Sequence, residues 1–185
     1  SGWLAAKGPI TWNDIYDGEI YDASLEVPDW DTLKLDTENP GIWRKPIIME
    51  GPGGKLVPQT LEPIKVIADL APVNLTTPKA GVYLFDIGPN IAGWAKLRIR
   101  EDCKIKVLIK YAEVLSEDGT VNQGNLCGAK SVDIYITKGG GNETYEPRFT
   151  YHGFRYIQIE GLQEIPDADS VTGRVVRSSV SSTGE

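Results

Sequence analysis

Apolar and polar residues alternate along much of the chain, with the two-residue period of half-buried β-strands. The alternation is clearest at residues 93–100, 104–111 and 132–137. Further apolar-rich segments predict strands at residues 20–23, 64–67, 81–87, 154–159 and 171–176. No long stretch repeats apolar residues at i, i+3, i+4 and i+7, the spacing of an amphipathic helix. The pattern therefore predicts an all-β fold.

Turn residues separate the predicted strands, at Gly88 to Asn90, Asp118-Gly119 and Gly139 to Gly141. Because some connections between strands are long, we expect a jelly-roll β-sandwich rather than a simple meander. The first third is irregular, with a loop at residues 12–19 that leads into a strand, and is expected to add edge strands and loops. We therefore predict one module over residues 1–178, followed by a mobile Ser-rich tail at 179–185.

Charge and hydropathy exclude two classes of partner. The chain has 185 residues and a formal net charge of −7, and its 19 basic residues are scattered, so we expect no nucleic-acid partner. No apolar run approaches the roughly 18–20 residues of a membrane helix, so no membrane association is expected. No signal peptide is recognisable. The compartment is not determined, although we expect a periplasmic or secreted protein rather than a cytoplasmic one.

Two cysteines, Cys103 and Cys127, are too few for a disulfide scaffold, and their spacing fits no zinc motif. Free, half-buried thiols are the favoured interpretation. A single disulfide in an oxidising compartment is the alternative.

Four segments resemble, in the same order, motifs of bacterial α-L-rhamnosidases. Tyr16 to Ala23 is similar to YxGExYDAR, Phe85 to Trp94 to FDxGQNxAGW, Tyr111 to Leu115 with Asp118 to Thr120 to YAExL…DGT, and Tyr145 to Tyr156 to YEPRFTYHGFRY. Two positions depart from the motifs. Pro89 stands where glutamine is usual, and Ser24 stands where arginine is usual.

This resemblance implies a jelly-roll module that precedes an (α/α)6 catalytic barrel, and the barrel carries the general acid and base of the glycoside hydrolase. The family's catalytic acids match no position here, so the resemblance implies a non-catalytic accessory module. In some relatives such a module binds terminal L-rhamnose through calcium. The expected partners are therefore L-rhamnose or a rhamnose-containing polysaccharide, and the parent enzyme's barrel. A purely structural module that supports the barrel is the alternative, and retained hydrolase activity is a weaker one.

The expected calcium site consists of oxygen donors on loops, because calcium takes six to eight oxygen ligands. Asn13 and Asp14 offer an amide oxygen and a carboxylate next to each other. Gln59 and the backbone carbonyl near Pro63 are the best second contribution. The alternative is that Asn13 and Asp14 form an Asx-turn or cap a strand, as such residues commonly do.

Aromatic residues in the first third are candidate platforms for a sugar ring. Trp12 is favoured because it precedes Asn13, and Trp30 is a second candidate, with core packing as the alternative for each. His152, the only histidine, is expected to have a structural, hydrogen-bonded role because the sequence offers no nucleophile motif beside it. Glu113, Asp118 and Asp133 are expected to be solvated charges.

Overall fold

Strands account for nearly all the regular structure in the computed structural model, which describes residues 2–33, 42–181 and 183–184. The predicted all-β fold is confirmed. The strands are β1 (Ile10–Asp14), β2 (Gly18–Asp22), β3 (Ile64–Leu70), β4 (Asn74–Lys79), β5 (Val82–Glu101), β6 (Lys106–Ala112), β7 (Val114–Leu115), β8 (Val121–Asn122), β9 (Val132–Ile136), β10 (Gly141–Tyr145), β11 (His152–Glu160) and β12 (Val171–Ser178).

Ten of these strands form one curled sheet, in the order β1-β2-β9-β6-β11-β5-β12-β3, with β4 and β10 also paired to β5. The 20-residue strand β5 lies at its centre. The first half of β5 pairs with β4 and β11, and the second half pairs with β12 and β10. Because β5 changes neighbours along its length, the sheet curls over itself in the manner of the predicted sandwich.

The core lies inside this curl, where alternate residues of the central strands point. Phe85, Leu97, Tyr111, Phe154 and Ile157 are each completely buried there. Removing such side chains from water stabilises a fold by roughly 1.5–3 kcal/mol each. The alternation in the sequence therefore identified the strands that carry the core.

Several local predictions were wrong. Residues 12–14, expected in a loop, belong to β1, which pairs antiparallel with β2. Gly88 to Asn90, expected as a turn between two strands, lies inside the continuous strand β5. In both cases tertiary pairing overrides a local turn signal. Cys103 and Cys127 are free, as expected, but exposed rather than half-buried.

The tail after β12 is exposed at residues 179–181, 183 and 184, while residues 182 and 185 lie outside the described part of the chain. Its predicted mobility and the single-module boundary at residue 178 stay predictions. Within the described residues, no helix is long and apolar enough to cross a membrane.

Candidate functional site

The expected calcium ligands Asn13 and Asp14 are engaged within the protein. The side-chain amide of Asn13 donates to Glu19 Oε2 at 3.3 Å. The backbone amides of Tyr16 and Asp17 donate to Asp14 Oδ1 at 2.8 and 3.0 Å, which is the Asx-turn that the sequence left open. Consecutive residues of a strand point to opposite faces, so the two side chains do not converge on one point.

The other expected calcium ligands, Gln59 and the Pro63 carbonyl, precede a different strand. Gln59 donates to the carbonyl of Leu61 at 2.9 Å, and the Pro63 carbonyl accepts from the amide of Ser179 at 3.0 Å. Both lie just before β3, at the opposite end of the strand order from β1. Within the described residues, no group of three or more His, Cys, Asp or Glu side chains is placed to hold a metal. Asn13, Asp14, Gln59 and the Pro63 carbonyl thus each bond within the protein, and the calcium site stays a prediction.

Trp12, one of the two predicted sugar platforms, lies in β1 and lines a surface cleft. Its side chain is 54% exposed and lines an open cleft of about 500 Å³ on the outer face of the sheet. The strand register makes Trp12, Ile20, Ile134 and Leu108 neighbours across β1, β2, β9 and β6. Residues directly opposite each other project from the same face, so the three aliphatic side chains form an apolar floor beside the indole.

Polar side chains form the rim of this cleft. Lys130 and Asp17 form an ion pair at 2.5 Å, and Lys110 pairs with Glu160 at 2.6 Å. The hydrogen bond from Lys130 lowers the pKa of Asp17 below its ordinary value. The cleft thus combines an exposed aromatic ring, an apolar floor and charged hydrogen-bonding groups. Such a combination suits a small amphipathic ligand.

The other tryptophans are placed differently. Trp30 is exposed in a turn after β2 and does not line this cleft. Trp43 is half-buried, with an indole nitrogen that has no hydrogen-bond partner among the described residues. Trp94 lies within β5 and donates to Glu146 Oε2 at 2.9 Å. Of the two predicted platforms, Trp12 lines this cleft and Trp30 does not.

A buried polar cluster, not expected from the sequence, lies at the core between β2, β6, β9 and β11. Asp133 is completely buried and accepts from the backbone amide of Glu19 at 2.9 Å and from the Tyr111 hydroxyl at 2.7 Å. His152 Nε2 lies 3.2 Å from Asp133 Oδ1, and its ring stacks on Tyr111 with centroids 4.1 Å apart. Ser131 Oγ lies 3.1 Å from the other ring nitrogen of His152. His152 is therefore buried and hydrogen-bonded, as predicted, and its purely structural role stays a prediction.

Glu19 extends this cluster towards the connection between β10 and β11. Its carboxylate is completely buried and accepts from the Tyr145 hydroxyl at 3.1 Å and from the Arg148 amide at 3.2 Å. Burial raises the pKa of Glu19 above the ordinary value of 4.5, and the nearby Asp133 carboxylate acts in the same direction. Because the cluster is sealed from solvent, its two acids have no access to a substrate.

Two further contacts join the remaining motif segments at the surface. Arg155 binds Asp86 through two parallel hydrogen bonds of 2.8 and 2.7 Å, and Asp86 also accepts from the amide of Gly88. Asn90 donates to Glu113 at 2.8 Å. Arg155 lowers the pKa of Asp86. All four segments that carry the family resemblance therefore contact one another in the folded chain.

Comparison with known proteins agrees with this arrangement. A family model described as the bacterial alpha-L-rhamnosidase concanavalin-like domain matches residues 76–177, which is more than half of the chain. A second model, the alpha-L-rhamnosidase N-terminal domain, matches residues 1–68. The chain belongs to the bacterial α-L-rhamnosidase family.

The relatives that this chain matches are much longer than it. It is 39% identical to an alpha-L-rhamnosidase of Streptomyces avermitilis over 99% of this chain and 18% of the relative. It is 34% identical to one from Formosa agariphila over 98% of this chain and 19% of the relative. The chain thus spans about a fifth of the length of these relatives.

Solved α-L-rhamnosidases share the fold. The structure from Dictyoglumus thermophilum superposes with a TM-score of 0.88 at 41% identity, covering 96% of this chain and 20% of the other. The Streptomyces avermitilis enzyme, solved in complex with L-rhamnose, gives a TM-score of 0.83 at 38% identity, covering 94% of this chain and 17% of the other.

The two departures from the α-L-rhamnosidase motifs are both exposed. Ser24 donates to Asp22 at 2.6 Å and accepts from Lys104 at 2.7 Å, so the Asp22 carboxylate has partners without the usual arginine. Pro89 is exposed on β5. Neither residue lines the Trp12 cleft. Both changes therefore leave that cleft unaltered.

The raised pKa of Glu19 predicts a pH dependence of stability. The folded protein holds the Glu19 proton more strongly than the unfolded chain does. The contribution of this proton to the free energy of unfolding is therefore fully present below the unfolded-state pKa and is lost as pH rises through the folded-state pKa. Relative to Glu19→Gln, the wild-type chain should lose free energy of unfolding as pH rises above about 4.5. Urea denaturation of both proteins at several pH values measures this difference. If the free energy of unfolding of the wild type, minus that of Glu19→Gln, stayed constant or increased with pH, the pKa of Glu19 would not be raised.

Proposed function

We propose that this chain is a non-catalytic module of a longer α-L-rhamnosidase and that it binds rhamnose-containing glycan in the cleft beside Trp12. The observation that carries the proposal is the half-exposed Trp12 indole over the apolar floor of Ile20, Ile134 and Leu108. The membership of the chain in a family of rhamnose-cleaving enzymes supports this choice of sugar.

The chemistry of L-rhamnose suits this cleft. It is a 6-deoxy sugar, so a methyl group replaces the hydroxymethyl group of L-mannose, and the methyl group fits an aliphatic floor. One face of the pyranose ring is largely C–H and packs on an indole, while ring hydroxyls reach Asp17 and Lys130 at the rim. Burying one methyl group contributes about 0.8 kcal/mol, so L-rhamnose should bind about fourfold more tightly than L-mannose.

We expect Trp12→Ala to weaken the binding of a rhamnose-terminated oligosaccharide at least about tenfold, because the variant removes the stacking surface. Isothermal titration calorimetry measures the loss. Trp30→Ala is the matched control, because Trp30 is also exposed but does not line the cleft, and it should bind as the wild type does. Equal affinities of Trp12→Ala and wild type would overturn the proposal, and loss in Trp30→Ala alone would move the site there.

Calcium assistance is tested in the same titrations. Asn13 Oδ1 and Asp14 Oδ2 accept no hydrogen bond within the described residues and remain the oxygens nearest Trp12 in sequence, but they point to opposite faces. We therefore expect a chelator to leave binding unchanged. A chelator-sensitive affinity that is also lost in Asp14→Ala would restore the calcium site predicted from the sequence.

We also propose that the chain does not cleave glycosides itself. Glycoside hydrolysis commonly needs two carboxyl groups that face the substrate. Glu19 and Asp133 are sealed in the core, and Asp86, Asp17 and Glu160 are bound to basic side chains. Purified chain should release no phenol from an aryl α-L-rhamnoside, and turnover that co-purifies with the chain would contradict this. Mechanical support of the catalytic barrel is a second role, favoured by apolar side chains that the glycan cleft does not use.

A further inference from the structure

A second open cleft, of about 450 Å³, lies between the end of β5, strand β10 and the connection from β11 to β12. We call it the arginine cleft, because Arg98 and Arg100 of β5 line it together with Asn142, Thr144 and residues of the 162–170 connection. Its volume is typical of a site for a small molecule. Among the described residues, none lines both this cleft and the cleft beside Trp12. The two clefts are therefore separate candidate sites.

Four polar side chains share one face of the β5–β10 pair. Arg98 and Arg100 are two residues apart in β5, so their side chains project from the same face. The register places Thr144 opposite Arg98 and Asn142 opposite Arg100, and residues opposite each other in antiparallel strands project together. All four side chains are exposed. This face therefore presents two guanidinium groups, one amide and one hydroxyl, all of which can donate hydrogen bonds.

The two guanidinium groups are not neutralised within the protein. Among the described residues, neither Arg98 nor Arg100 forms a side-chain hydrogen bond or an ion pair. The neighbouring carboxylates of Glu101 and Glu143 are buried and accept hydrogen bonds from other groups of the protein. Adjacent guanidinium groups repel each other, and an anion bound between them would remove this repulsion. In a chain with a net charge of −7, such a pair of free cations indicates an anionic ligand.

The 162–170 connection gives the arginine cleft a second, different lining. Glu164 and Asp169 are exposed there and, in the part of the chain that the structure describes, form no ion pair or side-chain hydrogen bond. Their carboxylates can accept hydrogen bonds from hydroxyl groups, whereas they repel a polyanion such as a nucleic acid. Leu162 and Ile165 add apolar surface. The whole lining thus suits a ligand that has one acidic group, several hydroxyls and some C–H surface.

We propose that the arginine cleft binds a uronic acid unit of a glycan. Arg98 and Arg100 bind the carboxylate of the sugar, because the planar guanidinium fork matches a carboxylate through two parallel hydrogen bonds. The β10 side chains donate to ring oxygens, and Glu164 and Asp169 accept from ring hydroxyls. The proposal adds an acidic-sugar site to the module and does not depend on glycan binding beside Trp12.

Titration of the 185-residue chain with the methyl glycosides of D-glucuronic and D-galacturonic acid, followed by two-dimensional NMR of the amides, tests the proposal. We expect at least one of these uronides to shift the amide signals of residues 98–100 and 142–144. The matching neutral glycosides, which carry a hydroxymethyl group in place of the carboxylate, should bind at least about tenfold more weakly, because the charge-assisted hydrogen bonds are lost. The Trp12 indole signal should stay in place, which separates this site from the glycan cleft.

Variants identify the groups that bind the carboxylate. Arg98→Gln and Arg100→Gln should each weaken uronide binding about tenfold. Arg177→Gln is the control of equal charge, because Arg177 is exposed in β12 but does not line the cleft, and it should bind as the wild type does.

Four results would overturn the proposal. The first is that neither uronide binds, and the second is that each uronide and its neutral glycoside bind equally. The third is that the two cleft variants bind as Arg177→Gln does. The fourth is that sodium acetate, sodium sulfate or a DNA oligonucleotide binds the same residues more tightly than the uronides do, which would assign the cleft to simple anions or to nucleic acid.

Discussion

Replacing Asp133 with alanine is expected to lower the free energy of unfolding by about 3–5 kcal/mol. Asp133 is completely buried and is the common acceptor for the Glu19 amide, the Tyr111 hydroxyl and the His152 ring. These groups belong to three different strands or strand ends. Without the carboxylate, each becomes an unpaired polar group in the core, and such groups cost far more than the hydrogen bonds themselves contribute. Urea denaturation followed by tryptophan fluorescence measures the loss.

The matched control for this prediction is Asp69→Ala. Asp69 also bonds to a basic residue, Arg174, at 2.8 Å, but its side chain is exposed. Exposed ion pairs contribute about 0–1 kcal/mol, so this variant should be close to wild type. Asp133→Asn keeps the shape of the side chain and should fall between the two. If Asp133→Ala were no less stable than Asp69→Ala, the cluster would not be a determinant of the fold.

The position of Asp133 shows what alternation in a sequence can and cannot predict. The segment Val132–Ile136 was correctly predicted as a strand, but Asp133 within it, expected to be a solvated charge, is completely buried. Asp133, Tyr135 and Thr137 point into the core, while Val132, Ile134 and Ile136 lie on the half-buried outer face. A two-residue period identifies a strand and two faces, and it does not say which face is inside when polar residues can satisfy one another there.

The placement of polar residues inside and apolar residues outside also explains how much of the candidate site was predictable. Apolar residues on the outer face supply the floor beside Trp12, and their presence there follows from the polar core of β9 and β2. Trp12 was selected from sequence because it precedes Asn13 in a segment expected to be a loop, although that segment is strand β1. The expected convergence of Asn13, Asp14 and Gln59 could not be tested from sequence, since it depends on the register and order of distant strands. The structure places β1 and β3 at opposite ends of that order.

Gly93→Ala is expected to cost about 3 kcal/mol or more, through a different mechanism from that of Asp133→Ala. Gly93 lies where β5 passes from one half of the curled sheet to the other, and it pairs with His152 on one side and Val175 on the other. A Cβ atom at this position would lie 1.8 Å from the carbonyl oxygen of Arg174. The obstacle is backbone, so β12 must move away from β5 and the pairing between the two strands must break.

Two other glycines separate this steric cost from the general cost of replacing glycine. Gly81 has a φ of +73° but open space around its Cβ position, so Gly81→Ala should cost about 1 kcal/mol from backbone strain alone. Gly54 has no neighbour within 4 Å and no positive φ, so Gly54→Ala should change stability by less than about 0.5 kcal/mol. Denaturation midpoints of the three variants should therefore rank Gly54, Gly81, Gly93 in order of increasing loss. If Gly93→Ala ranked with Gly81→Ala, β12 would yield easily, and the contact between β5 and β12 could not be what fixes the curl of the sheet.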